Sequence, residues 1–370
     1  MIPTSAPVIG DLETRFVSEA VSSSHVSGLS GENVARFERE FADFCGAPYA
    51  VATTSGTTAL HLALVSLGLK AGEEVLVATL TNMATFFAVL HCGAKPIPID
   101  VELDTCNIDP TLLQRSMTPN VVGVIVVHLF GHPVDMQPIV DFCSTNGLWL
   151  VEDAAEAHGA KYKGRTVGTF GDAGCFSFFA NKIITTGEGG MILFRDESVA
   201  AAARNTRNLA FGDAHRFMHT GIGFNYRLTN VQAALGLAQM LRIQDNIDLK
   251  RGLAARYQVG LKDLAGLRLP VQRDDCYSVY WMYHVVLQGD WAGHRDEVRA
   301  ALLDAGIETR ECFVPYDQQD YFVERSLVQR GVCPVAASIG ANGFYVPSGP
   351  ILSEDEQVHV ISTLRNILGS

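Results

Sequence analysis

Lys182 closes the run Phe176-Ser177-Phe178-Phe179-Ala180-Asn181-Lys182. Low-dielectric surroundings disfavour an ammonium, so an amine in such a run is a good nucleophile toward an aldehyde. The glycine-rich stretch Thr185-Thr186-Gly187-Glu188-Gly189-Gly190 leaves room for a bulky group, although an exposed lysine before a turn has the same pattern. Asp153 lies 29 positions earlier, room for one further strand. Glu152 and Asp153 follow the apolar run Leu148-Trp149-Leu150-Val151 and lead to Glu156 and His158. Ligand sites of parallel sheets lie beyond the carboxyl ends of strands. A carboxylate there can keep a ring nitrogen protonated, or it can be a solvated strand end or a helix cap. Thr54-Ser55-Gly56-Thr57-Thr58 sits between a strand and a helix. Free N–H groups at a helix start suit a phosphate, and an ordinary N-cap uses the same residues. Gly221-Ile222-Gly223-Phe224-Asn225-Tyr226-Arg227-Leu228-Thr229-Asn230 places aromatic and amide side chains before a long helix, or is a plain helix-initiating loop.

Short apolar runs and longer helical patterns alternate around these segments. The patterning predicts strands over 50–53, 74–78, 96–101, 121–127, 148–151, 175–178 and 191–194. Helices are predicted over 57–67, 83–92 and 137–144. Such alternation predicts an α/β unit with a mostly parallel sheet. Beyond about residue 230 come one or two long helices over 230–260 and the strand-like Tyr280–Leu287. Helices near 293–305 and 353–368 complete the chain. The change of texture divides it into a large first domain, 1–245, with the N-terminal segment, and a smaller α+β domain, 246–370.

Composition narrows the function class. The chain is 48% hydrophobic and 18% charged, with a net charge of −12 and no basic stripe. Nucleic-acid binding is not expected, because phosphate neutralisation needs clustered Lys and Arg. No apolar run reaches the roughly 18–20 residues of a membrane span, and residues 1–10 do not read as a signal peptide. A cytoplasmic protein with reduced thiols is expected, since the eight cysteines form no CxxC pair or framework. No His/Cys cluster has metal-ligand spacing, so no metal is expected. His128 and His132 read as structural or pocket-shaping, and His158 as a cofactor-bordering or satisfied core histidine.

In combination the segments are more specific than any one of them. FSFFANKIITTGEGG, EDAAEAHGA and GFNYRLTNVQAALG, with the opening SSHVSGLSGENVARFEREFADFCG, resemble the DegT/DnrJ/EryC1/StrS family of nucleotide-sugar aminotransferases. These enzymes depend on pyridoxal phosphate, and within the family the segments are similar to the GDP-perosamine synthase branch. The resemblance implies the fold type I (aspartate aminotransferase-like) architecture and a cofactor that alternates between pyridoxal and pyridoxamine phosphate. It implies that Lys182 holds the cofactor as a Schiff base and moves a proton, and that Asp153 pairs with the pyridine nitrogen. Glu156 would stand near the phenolic oxygen, where many relatives carry Gln. Gly56, Thr57 and Ser177 would bind the phosphate, and Asn225 the phosphate of the other subunit, which makes a homodimer with shared active sites. The implied reaction converts a nucleotide-linked 4-keto-6-deoxyhexose to an amino sugar with L-glutamate as donor. His25, Asn82, Arg310, Tyr316 and Asp317 are the expected substrate contacts.

Two positions depart from the family pattern. Asn82 stands where relatives often stack an aromatic ring on the cofactor, so stacking is lost or comes from Phe86 or Phe87. Asp317 replaces the His of a Pro-x-His substrate segment. A sugar dehydratase of the same fold is an alternative, although related dehydratases carry His at the position of Lys182. A non-catalytic regulatory protein is another. A cysteine desulfurase would need a reactive loop thiol, for which Cys312 has no marking neighbours.

Overall fold

The computed structural model describes residues 1–212, 215 and 217–369. Helices α1 (Asp11–Ser22) and α2 (Asn33–Cys45) precede an α/β series. It runs β1 (Tyr49–Thr53), α3 (Gly56–Ser66), β2 (Glu74–Ala78), α4 (Ala84–His91), β3 (Lys95–Ile99), β4 (Val121–Val127), α5 (Met136–Asn146) and β5 (Trp149–Asp153). A small hairpin, β6 (Lys161–Tyr162) and β7 (Arg165–Thr166), then leads to β8 (Ala173–Ser177), β9 (Gly190–Phe194) and α6 (Glu197–Arg207). Between Asp153 and Lys182 the main sheet therefore gains one strand, as the spacing predicts, and the hairpin is additional.

The main sheet has seven strands in the order β1-β9-β8-β5-β4-β2-β3. Only β9 runs antiparallel to its neighbours, which agrees with the mostly parallel sheet expected of fold type I. Strand residues alternate between two cores. Ala50, Ala52, Leu76, Val124 and Val126 join one cluster with α2 and α5. Val51, Val75, Val77, Ile125 and Val151 join the other with α3, α4 and α6. A sheet covered on both faces needs apolar side chains at successive positions, which is why EVLVA and VVGVIVV read as unbroken hydrophobic runs. The carboxyl ends of β1, β8, β5, β4 and β2 open at one edge, where the chemical residues gather.

Helices α7 (Asn230–Met240) and α8 (Ile243–Leu261) lead to the second sheet. There follow β10 (Leu267–Arg268), β11 (Cys276–Tyr277), β12 (Tyr283–Leu287), α9 (Arg295–Asp304) and β13 (Arg310–Glu311). The chain ends with α10 (Asp320–Glu324), α11 (Pro334–Asn342), β14 (Gly343–Val346) and α12 (Glu354–Leu368). The antiparallel order is β10-β12-β14-β13. Strand β12 begins three residues later than the pattern YWMYHVVL predicts, because Tyr280 sits at φ 47° and turns the chain. Ile2 packs in the core of this second unit and bridges Ile307, so the first residues of the chain join its C-terminal part. Among the described residues no helix is long and apolar enough to cross a membrane.

Candidate active site

The loop after β1 turns into α3 through a capping box, in which the Ser55 hydroxyl accepts from Thr58 N at 3.2 Å. The first N–H groups of a helix have no intrahelical partner. Among the described residues no acceptor takes those of Gly56 and Thr57. A Cβ at Gly56 would lie 2.8 Å from the Cβ of Ser177, so only glycine lets this helix start meet the end of β8. The result is a small cradle of free N–H groups beside the Ser177 hydroxyl. The fourth segment braces it from outside, since Tyr226 O accepts from Thr54 N at 3.0 Å.

At the end of β5 the two carboxylates separate by strand alternation. Glu152 is fully buried and accepts from the N–H groups of Gly168 at 2.7 Å, Phe170 at 2.6 Å and Gly171 at 2.7 Å. It also pairs with His128 Nε2 at 3.0 Å. His128 Nδ1 accepts from Val134 N, so the proton is on Nε2 and points at Glu152. This pair is structural scaffolding. Asp153 points the other way, into a cleft of about 320 Å³. It accepts from Thr85 Oγ1 at 2.7 Å and Ala155 N at 3.2 Å and has no cation within ion-pair distance among the described residues. Burial raises its pKa, against the opposing pull of those two hydrogen bonds.

Lys182 reaches the same cleft from the loop between β8 and β9. Its side chain is 11% exposed, with Nζ 3.7 Å from Glu156 Oε1 and 3.9 Å from the centre of the Trp281 ring. Burial lowers the Lys182 pKa, and Glu156 and Asp153 oppose it. Trp281 is fixed in turn by its indole N–H, which donates to Asn181 O at 2.8 Å. Glu156 accepts from Phe130 N at 2.8 Å, and burial pushes its carboxyl up to about 7. His158, two residues further, lies among the rings of Phe41, Phe176 and Phe178. Burial holds it neutral, at about 3.

The cleft thus collects Gly56, Thr57, Asn82, Asp153, Glu156, Ser177, Lys182 and Arg310. Other expected residues lie elsewhere. Tyr316 is fully buried and stacks on Phe86 at 4.3 Å, so neither ring faces the cleft. Phe87 lies against His91 and Phe322. Asp317, also fully buried, accepts from Gly331 N and Cys333 N and ties down the chain before α11. An acidic group in place of histidine here satisfies backbone donors, so Tyr316 and Asp317 are corrected from substrate contacts to core residues. His25 lies outside the cleft, in a surface groove with Arg15, Arg36 and Asn230, and its carbonyl accepts from Asn230 Nδ2. Asn225 is exposed and outside the cleft of its own chain. Cys312 is buried and its thiol is held protonated, unlike a reactive loop cysteine. Thr85 and Trp281 escape the sequence reading, because their contacts with Asp153 and Lys182 span 68 and 99 positions.

The residues fit pyridoxal phosphate. A buried carboxylate without a counter-charge is costly, and a protonated ring nitrogen is what Asp153 lacks. The cradle at Gly56 offers unpaired N–H donors, and Lys182 is a desolvated amine. Sequence comparison shows the family. The profile of the DegT/DnrJ/EryC1/StrS aminotransferase family matches residues 7–365. The chain is 36% identical over 364 residues to a GDP-perosamine synthase of Escherichia coli O157:H7, covering 98% of each chain. It is 37% identical to a GDP-perosamine synthase of Caulobacter vibrioides, covering 99% of this chain and 98% of that one. The crystal structure of S. venezuelae DesV superposes with a TM-score of 0.92 at 31% identity, covering 100% of this chain and 99% of that chain.

Proposed function

Because the chain belongs to the DegT/DnrJ/EryC1/StrS aminotransferase family of pyridoxal-phosphate enzymes, we propose that it aminates a nucleotide-linked 4-keto-6-deoxyhexose with L-glutamate as donor. The observation that carries the reading is the convergence of Lys182, Asp153 and the Gly56 cradle in one cleft. Bound pyridoxal phosphate supplies an aldehyde for amine capture and a pyridinium ring that takes up the electrons of a breaking C–H bond.

The chain's own residues do the rest. The N–H groups of Gly56 and Thr57 and the Ser177 hydroxyl hold a phosphate at the partly positive start of α3. Asp153, kept in place by Thr85, faces the ring nitrogen and favours its protonated form. Burial lowers the Lys182 pKa and so favours the free amine, whose Nζ can take a proton from a substrate carbon and return it at another position. Glu156 hydrogen-bonds Phe130 N and stands next to that amine. Trp281 covers one side of the lysine and keeps water from it.

Three further points belong to the same proposal. The active unit is a homodimer in which Asn225, exposed in its own chain, reaches the phosphate bound by the partner. The large domain ends near residue 245, where α8 begins. The enzyme works in the cytoplasm. The test is to incubate purified protein with pyridoxal phosphate, L-glutamate and a panel of GDP- and UDP-linked keto sugars. Release of 2-oxoglutarate with one of them is the expected result, and its absence with all of them refutes the proposal.

A further inference from the structure

A second buried lysine, Lys250 of α8, has no task in the proposed chemistry. Among the described residues no carboxylate pairs with it. A buried cation without a counter-charge is costly, and burial lowers the Lys250 pKa to about 7. Its Nζ donates instead to two carbonyls, Trp281 O at 2.7 Å and Ser348 O at 2.9 Å. No other donor among the described residues reaches either oxygen. Residues four apart lie on one face of a helix, and one turn before Lys250 stands Asn246. It is buried too, and its Nδ2 donates to Ile183 O at 2.9 Å. Ile183 follows Lys182 in the chain, and Asn181, whose carbonyl takes the Trp281 indole N–H, precedes it. One face of α8 therefore grips the Lys182 loop twice, directly at Ile183 and through Trp281 at Asn181. These links close a circuit around Lys182, with the indole 3.9 Å from its Nζ.

We propose that Lys250 is a positioning residue for Lys182: by holding the Trp281 carbonyl it fixes the indole over the reactive amine and keeps water from it. This rests on the aminotransferase reading of Lys182 and adds a remote residue to it. Lys250 acts through Trp281 alone. Without its Nζ two buried carbonyls lose their donor, and the backbone at Trp281 shifts to reach water. Water readmitted beside the indole solvates the Lys182 ammonium and raises its pKa. The lost attraction of the ring for a cation acts the other way. It is the smaller effect, because a cation–π contact is worth about one pH unit and burial of an amine shifts its pKa by up to several. Glu156, Asp153 and His158 also interact with the Lys182 amine and are the same in every variant below.

The experiment labels the full chain, free of cofactor, with an amine-acylating reagent across a range of pH and reads Lys182 by peptide mass spectrometry. The midpoint of the labelling curve reports the proton affinity of Lys182 independently of how easily the reagent enters. Wild type, Lys250→Met, Trp281→Leu and the double variant form a cycle. Each single change should raise the midpoint by about one pH unit, which is about tenfold less free amine at neutral pH. The double variant should rise no further than the larger single one. A midpoint that is unchanged or lowered in either single variant, with the fold intact by circular dichroism, overturns the proposal. So do single effects that add in the double variant, since an effect of the Lys250 charge alone would persist without the ring. Should Lys250→Met not fold, Lys250→Gln, which keeps an amide donor, takes its place in the cycle. Failure of both to fold overturns the proposal and makes Lys250 a residue of the fold alone. Wild-type protein that forms no borohydride-reducible adduct with pyridoxal phosphate at Lys182 refutes the aminotransferase reading, and the labelling midpoints then still decide the role of Lys250.

Discussion

Replacing Glu156 by glutamine removes a titrating group from the cleft and leaves an oxygen to accept from Phe130 N. Burial pushes the carboxyl from its ordinary 4.5 up to about 7, with Lys182 and the Phe130 hydrogen bond opposing. A folded-state pKa above the unfolded one means that a carboxylic acid penalises folding once the unfolded chain ionises. Below pH 4.5 both states hold the proton and there is no penalty. It grows as pH rises toward 7 and is constant above. A separation of about 2.5 pH units corresponds to about 3 kcal/mol. Glu156→Gln should therefore stabilise the cofactor-free protein by about 3 kcal/mol at pH 8 and by about 1 kcal/mol or less at pH 5. Urea unfolding followed by circular dichroism at the two pH values measures this. A stability difference between variant and wild type that is the same at both pH values, or a less stable variant at pH 8, would refute the account of Glu156 as a carboxyl held protonated by burial.

Three other outcomes follow from the geometry. Asp153→Asn removes the carboxylate proposed to face the ring nitrogen, and loss of one partner of a buried pair costs about 3–5 kcal/mol. Turnover should fall by two orders of magnitude or more while the bound cofactor remains visible by absorbance; activity within tenfold of wild type would exclude this role. Thr85→Val deletes the 2.7 Å hydrogen bond that orients Asp153, and about 1–3 kcal/mol of cofactor affinity should go with it, as read by absorbance titration. Gly56→Ala places a methyl group against Ser177. Binding of pyridoxal phosphate should weaken sharply, whereas pyridoxal without its phosphate should bind as it does to wild type.

The strands were legible because a sheet buried on both faces leaves its mark in every successive residue. Glu74–Ala78 and Val121–Val127 have the bounds that the pattern predicts. The segments carrying Gly56, Asp153, Ser177 and Lys182 were legible because each adjoins a strand end, and parallel strands bring their carboxyl ends to one edge. What the sequence alone determined was therefore which short segments meet. It did not determine which side chain of a segment enters the cleft. Glu152 and Asp153 are adjacent and chemically alike, yet strand alternation gives one to four structural donors and the other to the cleft. Tyr316 and Asp317 stand in a suggestive segment, and packing against Phe86 and the backbone before α11 takes both into the core. Thr85 and Trp281 contact residues far away in the chain, and such contacts exist only once the elements that carry them have folded against each other. Local periodicity records burial and turn chemistry within a few residues. The direction of a side chain, and the partner it meets at long range, are decided by the closing of the tertiary structure around them.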